Sequence, residues 1–147
     1  MSELAHILHD EHRTILNLLK DLRRVGPSSP EGHEMLIKAR TLILQHLKTE
    51  DEQLYPVLRE NELTADIAQT FSEEMAPLAS RFLAFFERYD SQPDCPDFAT
   101  ELGRLLAALQ RRITREECVL LPTYKQLRLR QEDVRQGELD LEPVPML

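Results

Sequence analysis

Apolar residues recur at helical spacing in four long segments of this 147-residue chain. Within each segment they alternate at spacings of three and four, which places them on one face of an α-helix. Short clusters of turn residues separate the segments, and short connections between long helices favour antiparallel neighbours. The sequence therefore predicts an all-α protein, an up-down-up-down antiparallel four-helix bundle. Its helices are expected at about 2–25, 32–60, 64–90 and 97–131.

The composition agrees with one helical domain and limits the partners of the chain. Its net charge of −8, from 18 basic and 26 acidic side chains, repels phosphates and argues against nucleic-acid or anionic-membrane binding. There is no run of about 18 apolar residues, and the charged N-terminus does not resemble a signal peptide. We therefore predict a cytoplasmic protein with no membrane partner. Cys95 and Cys118 lack CxxC spacing and are expected to be free thiols.

The end of the chain differs from the rest in its pattern. The stretch GELDLEPVPML has no helical period and contains prolines. We predict that the bundle occupies residues 1–131, and that residues 132–147 form an extended or disordered acidic tail.

Polar residues interrupt the apolar stripes of the predicted bundle. In LQHLKTEDEQLYP, residues 44–56, His46 and Glu50 are four apart and project from one helix face. The frame returns in QRRITREECVLLP, residues 110–122, where Arg112 and Glu116 have the same spacing. His12 interrupts the first stripe.

These polar residues have two interpretations. They could lie in water at an edge of the bundle, but the repeated pair favours an inward-facing site. An unpaired buried carboxylate costs several kcal/mol, so we expect either a divalent metal or a buried ion-pair network to compensate it. His9 is a candidate partner of the site, whereas His6 is expected to be solvated.

The motifs resemble those of the hemerythrin-like, or HHE cation-binding, family. HDEHR (9–13) is similar to the family's first-helix histidine motif, and HLKTE followed by LYP is similar to its HxxxE motif. RITRE followed by LLP resembles the second HxxxE motif without its histidine. The resemblance covers about residues 4–125 and implies a four-helix bundle that holds two non-haem irons bridged by carboxylates.

Only half of that binuclear site is matched in this chain. Met75 and Ala79 stand where the third helix of the family supplies histidines, and Arg112 stands where the fourth helix supplies one. Arginine stays protonated and cannot ligate a metal here, so we expect the second metal to be absent. A bidentate contact of Arg112 with a carboxylate could replace its charge, and Glu73 or Glu74 could replace a missing ligand. The resemblance implies that one metal remains, held by His12, His46, Glu50 and Glu116.

Two functional hypotheses remain open. In the first, one non-haem iron, or manganese or zinc, is bound, and the protein senses dioxygen, nitric oxide or redox state, or handles iron. In the second, no metal binds, and a degenerate bundle serves as a structural or partner-binding module. Enzyme activity is the weaker hypothesis, because no P-loop, GxGxxG, CxxC or Ser-His-Asp order is present.

Overall fold

The computed structural model describes residues 3–140 of the chain, with side chains as far as residue 137. All regular structure in this range is helical, which confirms the predicted all-α class and is consistent with a four-helix bundle. Two π-helical segments each join two α-helices into one longer helix. The α-helices are α1 (Glu3–Val25), α2 (Pro30–Thr49), α3 (Tyr55–Glu60), α4 (Ala65–Ser91), α5 (Phe98–Arg115) and α6 (Leu121–Asp140), and the π-helical segments are π1 (Glu50–Leu54) and π2 (Glu116–Leu120).

Contacts between helix ends show how the helices neighbour one another. Near the end of α1, Arg23 donates a hydrogen bond of 2.8 Å to the carbonyl of Ala99, at the start of α5. Near the start of α2, His33 lies 2.8 Å from Asp90, at the end of α4. Both contacts agree with antiparallel neighbours, and the complete up-down order stays a prediction.

The turn between α1 and α2 is tight. Gly26 takes a positive φ of 81° and donates to the carbonyl of Leu22 at 2.8 Å, which ends α1. Ser29 then caps α2, since its hydroxyl accepts a hydrogen bond of 3.0 Å from the amide of Gly32. Pro30 occupies the first turn of α2, where its missing N–H is tolerated.

Gly32→Ala should destabilise the protein, because the new Cβ would lie 1.7 Å from the carbonyl oxygen of Gly26. We expect a loss of about 1–3 kcal/mol in the free energy of unfolding, measured with urea. Gly137→Ala is the matched control, since its Cβ meets nothing within 4 Å and alanine favours a helix. Equal stability of the two variants would show that the Gly26 carbonyl can move away from residue 32 without a loss of stability.

The π-helical segments follow from the repeated sequence frame. The amide of Tyr55 donates to the carbonyl of Glu50, and the amide of Leu121 donates to the carbonyl of Glu116. A proline follows each of these amides, and in an α-helix its ring would clash with the carbonyl four residues earlier. Widening the turn by one residue relieves that clash. Each π-helical segment therefore begins at a buried glutamate.

Buried apolar side chains form two clusters along the bundle. One cluster contains Ile15, Ile43 and Ile113, and the other contains Leu8, Leu54 and Leu120. Along α1, α2–π1 and α5–π2, His12, the pair His46 and Glu50, and Glu116 lie between the two clusters in sequence. Buried Arg112 lies one turn before Glu116, next to Ile113. We name this set the polar layer, and it consists of His12, His46, Glu50, Arg112 and Glu116.

The predicted tail is partly wrong. α6 continues to Asp140, so residues 132–140 are helical rather than extended. Five of the nine residues there are good helix formers, and the first proline comes later, at Pro143. Residues 141–147, the rest of that prediction, lie outside the described residues, and the domain division itself stays a prediction.

No helix within residues 3–140 is long and apolar enough to cross a membrane. Cys95 and Cys118 are free thiols, as the spacing predicted.

Candidate metal centre

The polar layer is buried, as expected for an inward-facing site. The side chains of His12 and Glu116 are 3% and 4% exposed, and those of His46 and Glu50 are 8% and 3% exposed. The four come from α1, α2 and the first residues of π1 and π2. The stripe of α1 and the repeated frame thus bring four potential ligands into the interior of the bundle.

These side chains lie close together. The imidazole rings of His12 and His46 have centroids 4.7 Å apart. Nε2 of His46 is 2.9 Å from a Glu50 oxygen, and Nε2 of His12 is 3.5 Å from a Glu116 oxygen. Among the described residues, one group has a composition suited to binding a metal, and it consists of His12, His46 and Glu116. Their ligand atoms all lie within 4.8 Å of one another. Glu50 is not a member of that group, although its Oε1 lies 2.9 Å from Nε2 of His46.

Both imidazoles are held from outside by carboxylates. Nδ1 of His46 lies 2.8 Å from Oε1 of Glu11, and Nδ1 of His12 lies 3.3 Å from Oε1 of Glu117. When the imidazole is neutral, a carboxylate at Nδ1 favours the tautomer whose Nε2 carries the lone pair. Each Nε2 atom is therefore directed toward the carboxylates of the polar layer.

The residues present fit a divalent transition metal. Nε2 of His12 is buried and has no hydrogen-bond partner among the described residues, although buried polar atoms are nearly always paired. Two imidazole nitrogens with two carboxylates suit iron, manganese or zinc. These four residues could hold one such ion.

Arg112 lies beside this set rather than within it. Its Nη2 donates to the Tyr55 hydroxyl at 3.0 Å and to the Phe71 carbonyl at 2.8 Å. Its Nε lies 3.3 Å from Oε2 of Glu116, in an ion pair without hydrogen-bond geometry. The expected bidentate contact with a carboxylate is therefore wrong. Both hydrogen bonds of the guanidinium come from Nη2, because the Tyr55 hydroxyl and the Phe71 carbonyl are within its reach.

Helix α4, the third long helix of the bundle, supplies no ligand beside Arg112. Met75 is buried and lines a small cavity of about 20 Å³ together with His12 and Arg112. Glu74 pairs with Arg115 and lies 3.8 Å from Nη1 of Arg112. Glu73 is exposed and accepts a hydrogen bond from Gln69. Both glutamates are thus occupied outside the ligand set.

The outer histidines differ in their roles. Nδ1 of His9 lies 2.5 Å from the same Glu117 oxygen that contacts His12, so His9 is connected to the site through Glu117. His6 has a 72% exposed side chain and pairs with Asp10, as expected for a solvated residue.

Burial and mutual charge shift the pKa values of the polar layer. Burial would lower the pKa of His46, but contacts with Glu50 and Glu11 outweigh it and raise that pKa to about 9. Burial and the charge of Glu116 raise the pKa of Glu50 to about 7. For Glu116 burial acts in the same direction, yet His12, Glu50 and Arg112 together lower its pKa. Burial also raises the pKa of Tyr55, whose hydroxyl keeps its proton and donates toward Glu50 at 3.5 Å.

Sequence reasoning did not find Glu11, Glu117 or Tyr55. Glu11 and Glu117 stand next to His12 and Glu116 in the chain but lie off the apolar stripes. Nothing in the helical period separates such residues from ordinary exposed glutamates. Adjacency to a ligand was the one available signal.

The fold and the site define a helical bundle with a buried site of metal-binding composition. The chain belongs to the hemerythrin family, described as the hemerythrin HHE cation binding domain, which it matches over residues 3–124. Comparison with curated proteins and with solved structures gave no significant match.

Proposed function

We propose that the protein binds one divalent transition metal, iron by family resemblance, through His12, His46, Glu50 and Glu116. The bound iron would supply reversible redox and ligand-binding chemistry for sensing dioxygen, nitric oxide or redox state, or it would be held as a store. The chain's own residues exclude water from the ion and fix its ligands. Arg112 supplies a fixed positive charge beside Glu116, where the family's second metal would lie.

The Nε2 atom of His12, which has no hydrogen-bond partner among the described residues, carries this proposal. It is buried beside Oε1 of Glu116, and the outer nitrogen of the same ring is already occupied by Glu117. A metal would satisfy this nitrogen and the charges of both buried carboxylates at once.

Elemental analysis of protein purified without an affinity tag tests the proposal. We expect close to one equivalent of transition metal per chain, and much less for His46→Leu. His33→Leu is the matched control, because His33 is an exposed histidine paired with Asp90. Only trace metal in the wild-type protein would contradict the proposal.

Optical spectra of the iron-loaded protein separate the proposed roles. A reversible spectral change on adding nitric oxide or dioxygen supports sensing. Catalytic turnover of nitric oxide or peroxide would instead indicate an enzyme.

A metal-free structural or partner-binding module is the second candidate. The contact between His46 and Glu50 and the ion pair between Arg112 and Glu116 favour it, because they compensate both carboxylates without a metal. The same elemental analysis decides between the two candidates.

Metal affinity should rise with pH. The metal must displace the proton that His46 holds with a pKa of about 9, so we expect about a 100-fold gain in zinc affinity between about pH 6.5 and 8.5. Loss of the Glu50 proton, with a pKa of about 7, adds to the gain at the lower end. Competition with a chromophoric chelator measures it, and a pH-independent affinity would contradict it.

The stability of the metal-free protein should change in the opposite direction. The pKa values of His46 and Glu50 are raised in the folded state, so at these two groups the folded protein binds more protons than the unfolded chain. The contribution of Glu50 is lost as pH rises through about 7, and that of His46 as pH rises through about 9. Urea unfolding of metal-free protein should therefore become easier across this range.

A further inference from the structure

Two partly exposed carboxylates contact the outer nitrogens of the buried histidines. Glu11, on α1, reaches Nδ1 of His46 on α2 at 2.8 Å. Glu117, in π2, reaches Nδ1 of His12 on α1 at 3.3 Å. Their side chains are 35% and 30% exposed, whereas both imidazoles are nearly inaccessible. Each contact joins two different helices.

We propose that Glu11 and Glu117 are positioning residues that orient His46 and His12 for metal binding, an inference that rests on the proposed function. A carboxylate that accepts a hydrogen bond from the Nδ1 N–H fixes the ring orientation and makes Nε2 a stronger donor to a metal. The inner geometry agrees, because Nε2 of His46 faces Glu50 and Nε2 of His12 faces Glu116.

The two contacts are crossed. Glu11 is the chain neighbour of His12 but orients His46, and Glu117 is the neighbour of Glu116 but orients His12. Residues 11 and 12 therefore link α1 to both of the other ligand-bearing helices. A displacement of α1 would disturb both imidazoles together.

His9 extends the contacts of Glu117 to the surface. Its Nδ1 shares the Glu117 oxygen at 2.5 Å, and its side chain is 46% exposed. Glu117 is thereby held between an outer and an inner imidazole. Within residues 3–137, Glu11 contacts the imidazole of His46 alone, so the two positioning residues offer separate tests.

Zinc titration of the full chain measures the effect. Glu11→Leu and Glu117→Leu should each weaken zinc binding about 10- to 100-fold, by chelator competition. Glu11→Gln and Glu117→Gln should restore most of the affinity, because the amide oxygen can still accept a hydrogen bond from the Nδ1 N–H. Asp10→Leu and Glu52→Leu are matched controls, since these exposed carboxylates pair with His6 and Lys48 at the surface, and we expect them to bind zinc as the wild type does.

NMR of the imidazole protons in zinc-loaded protein distinguishes positioning from a general structural effect. The slowly exchanging Nδ1 proton of His46 should be lost in Glu11→Leu and kept in Glu117→Leu. For His12 the pattern should be reversed. Glu11→Ala and Glu117→Ala also remove the acceptor and provide the same readout if a leucine variant does not fold. In the glutamine variants both Nδ1 protons should be kept.

Two results would overturn the proposal. The first is wild-type affinity in both leucine variants at unchanged stoichiometry, and the second is an imidazole proton pattern that does not depend on which carboxylate is removed. Failure of the proposed function is seen separately, because the wild-type protein would then bind no zinc in the first titration.

Discussion

Arg112→Met should cost the metal-free protein about 3–5 kcal/mol of its free energy of unfolding, because removing one partner of a buried ion pair leaves an uncompensated charge. Glu116 would lose its guanidinium, and the Tyr55 hydroxyl and the Phe71 carbonyl would lose a donor. Methionine keeps much of the apolar contact with the Phe71 ring, over which the guanidinium lies at 4.8 Å. Urea unfolding measures the loss.

Arg115→Met is the matched control. Arg115 also lies over the Phe71 ring, at 5.0 Å, and also pairs with Glu74, but its side chain is 51% exposed. A surface pair contributes about 0–1 kcal/mol, so this variant should be nearly as stable as the wild type. Loading with zinc should reduce the cost of Arg112→Met, because the metal neutralises Glu116. Equal losses in the two methionine variants would show that the buried charge is already compensated in another way.

Arg112→His combined with Met75→His should raise the metal content from one toward two equivalents per chain. Residues 75 and 112 line the same cavity as Glu50 and Glu116, and both replacements put an imidazole where the family places one. The new imidazole at position 112 would stand one turn before Glu116, as His46 stands before Glu50. Elemental analysis after iron loading, with a titration of each equivalent, measures the change.

Two exposed neighbours provide the control for that pair. Arg115→His with Ala76→His adds the same number of imidazoles on solvent-facing positions of the same helices. This control should stay at the wild-type stoichiometry. No second equivalent in the Arg112→His, Met75→His protein would mean that the cavity beside Glu116 is not the vacated half of a binuclear site.

The helical period and the repeated frame were sufficient to predict the bundle and the inward direction of its polar residues. Each of His12, His46, Glu50 and Glu116 continues an apolar stripe, so helical geometry alone brings it to the interior. Membership of the hemerythrin family confirms the class of protein. Which ion is bound, and how many, depends on chemistry that a helical period does not encode.

Three features could not be obtained from the period. The π-helical segments depend on a clash between a proline ring and a carbonyl, which is a three-dimensional effect. Glu11 and Glu117 act across helices, and only the packed structure shows which imidazole each one reaches. The predicted end of the fourth helix, at about residue 131, comes too early, because residues 132–140 show no helical period although they belong to α6.

The polar layer, which crosses the apolar interior of the bundle, also restricts how the helices can align along one another. If α1 slid by one turn, Leu8 or Leu16 would occupy the place of His12, and Glu116 would meet a hydrocarbon surface in place of an imidazole. Apolar side chains alone tolerate such slippage far better, since one leucine can substitute for another. We infer that the polar layer selects one alignment of the bundle among several that its apolar stripes would accept.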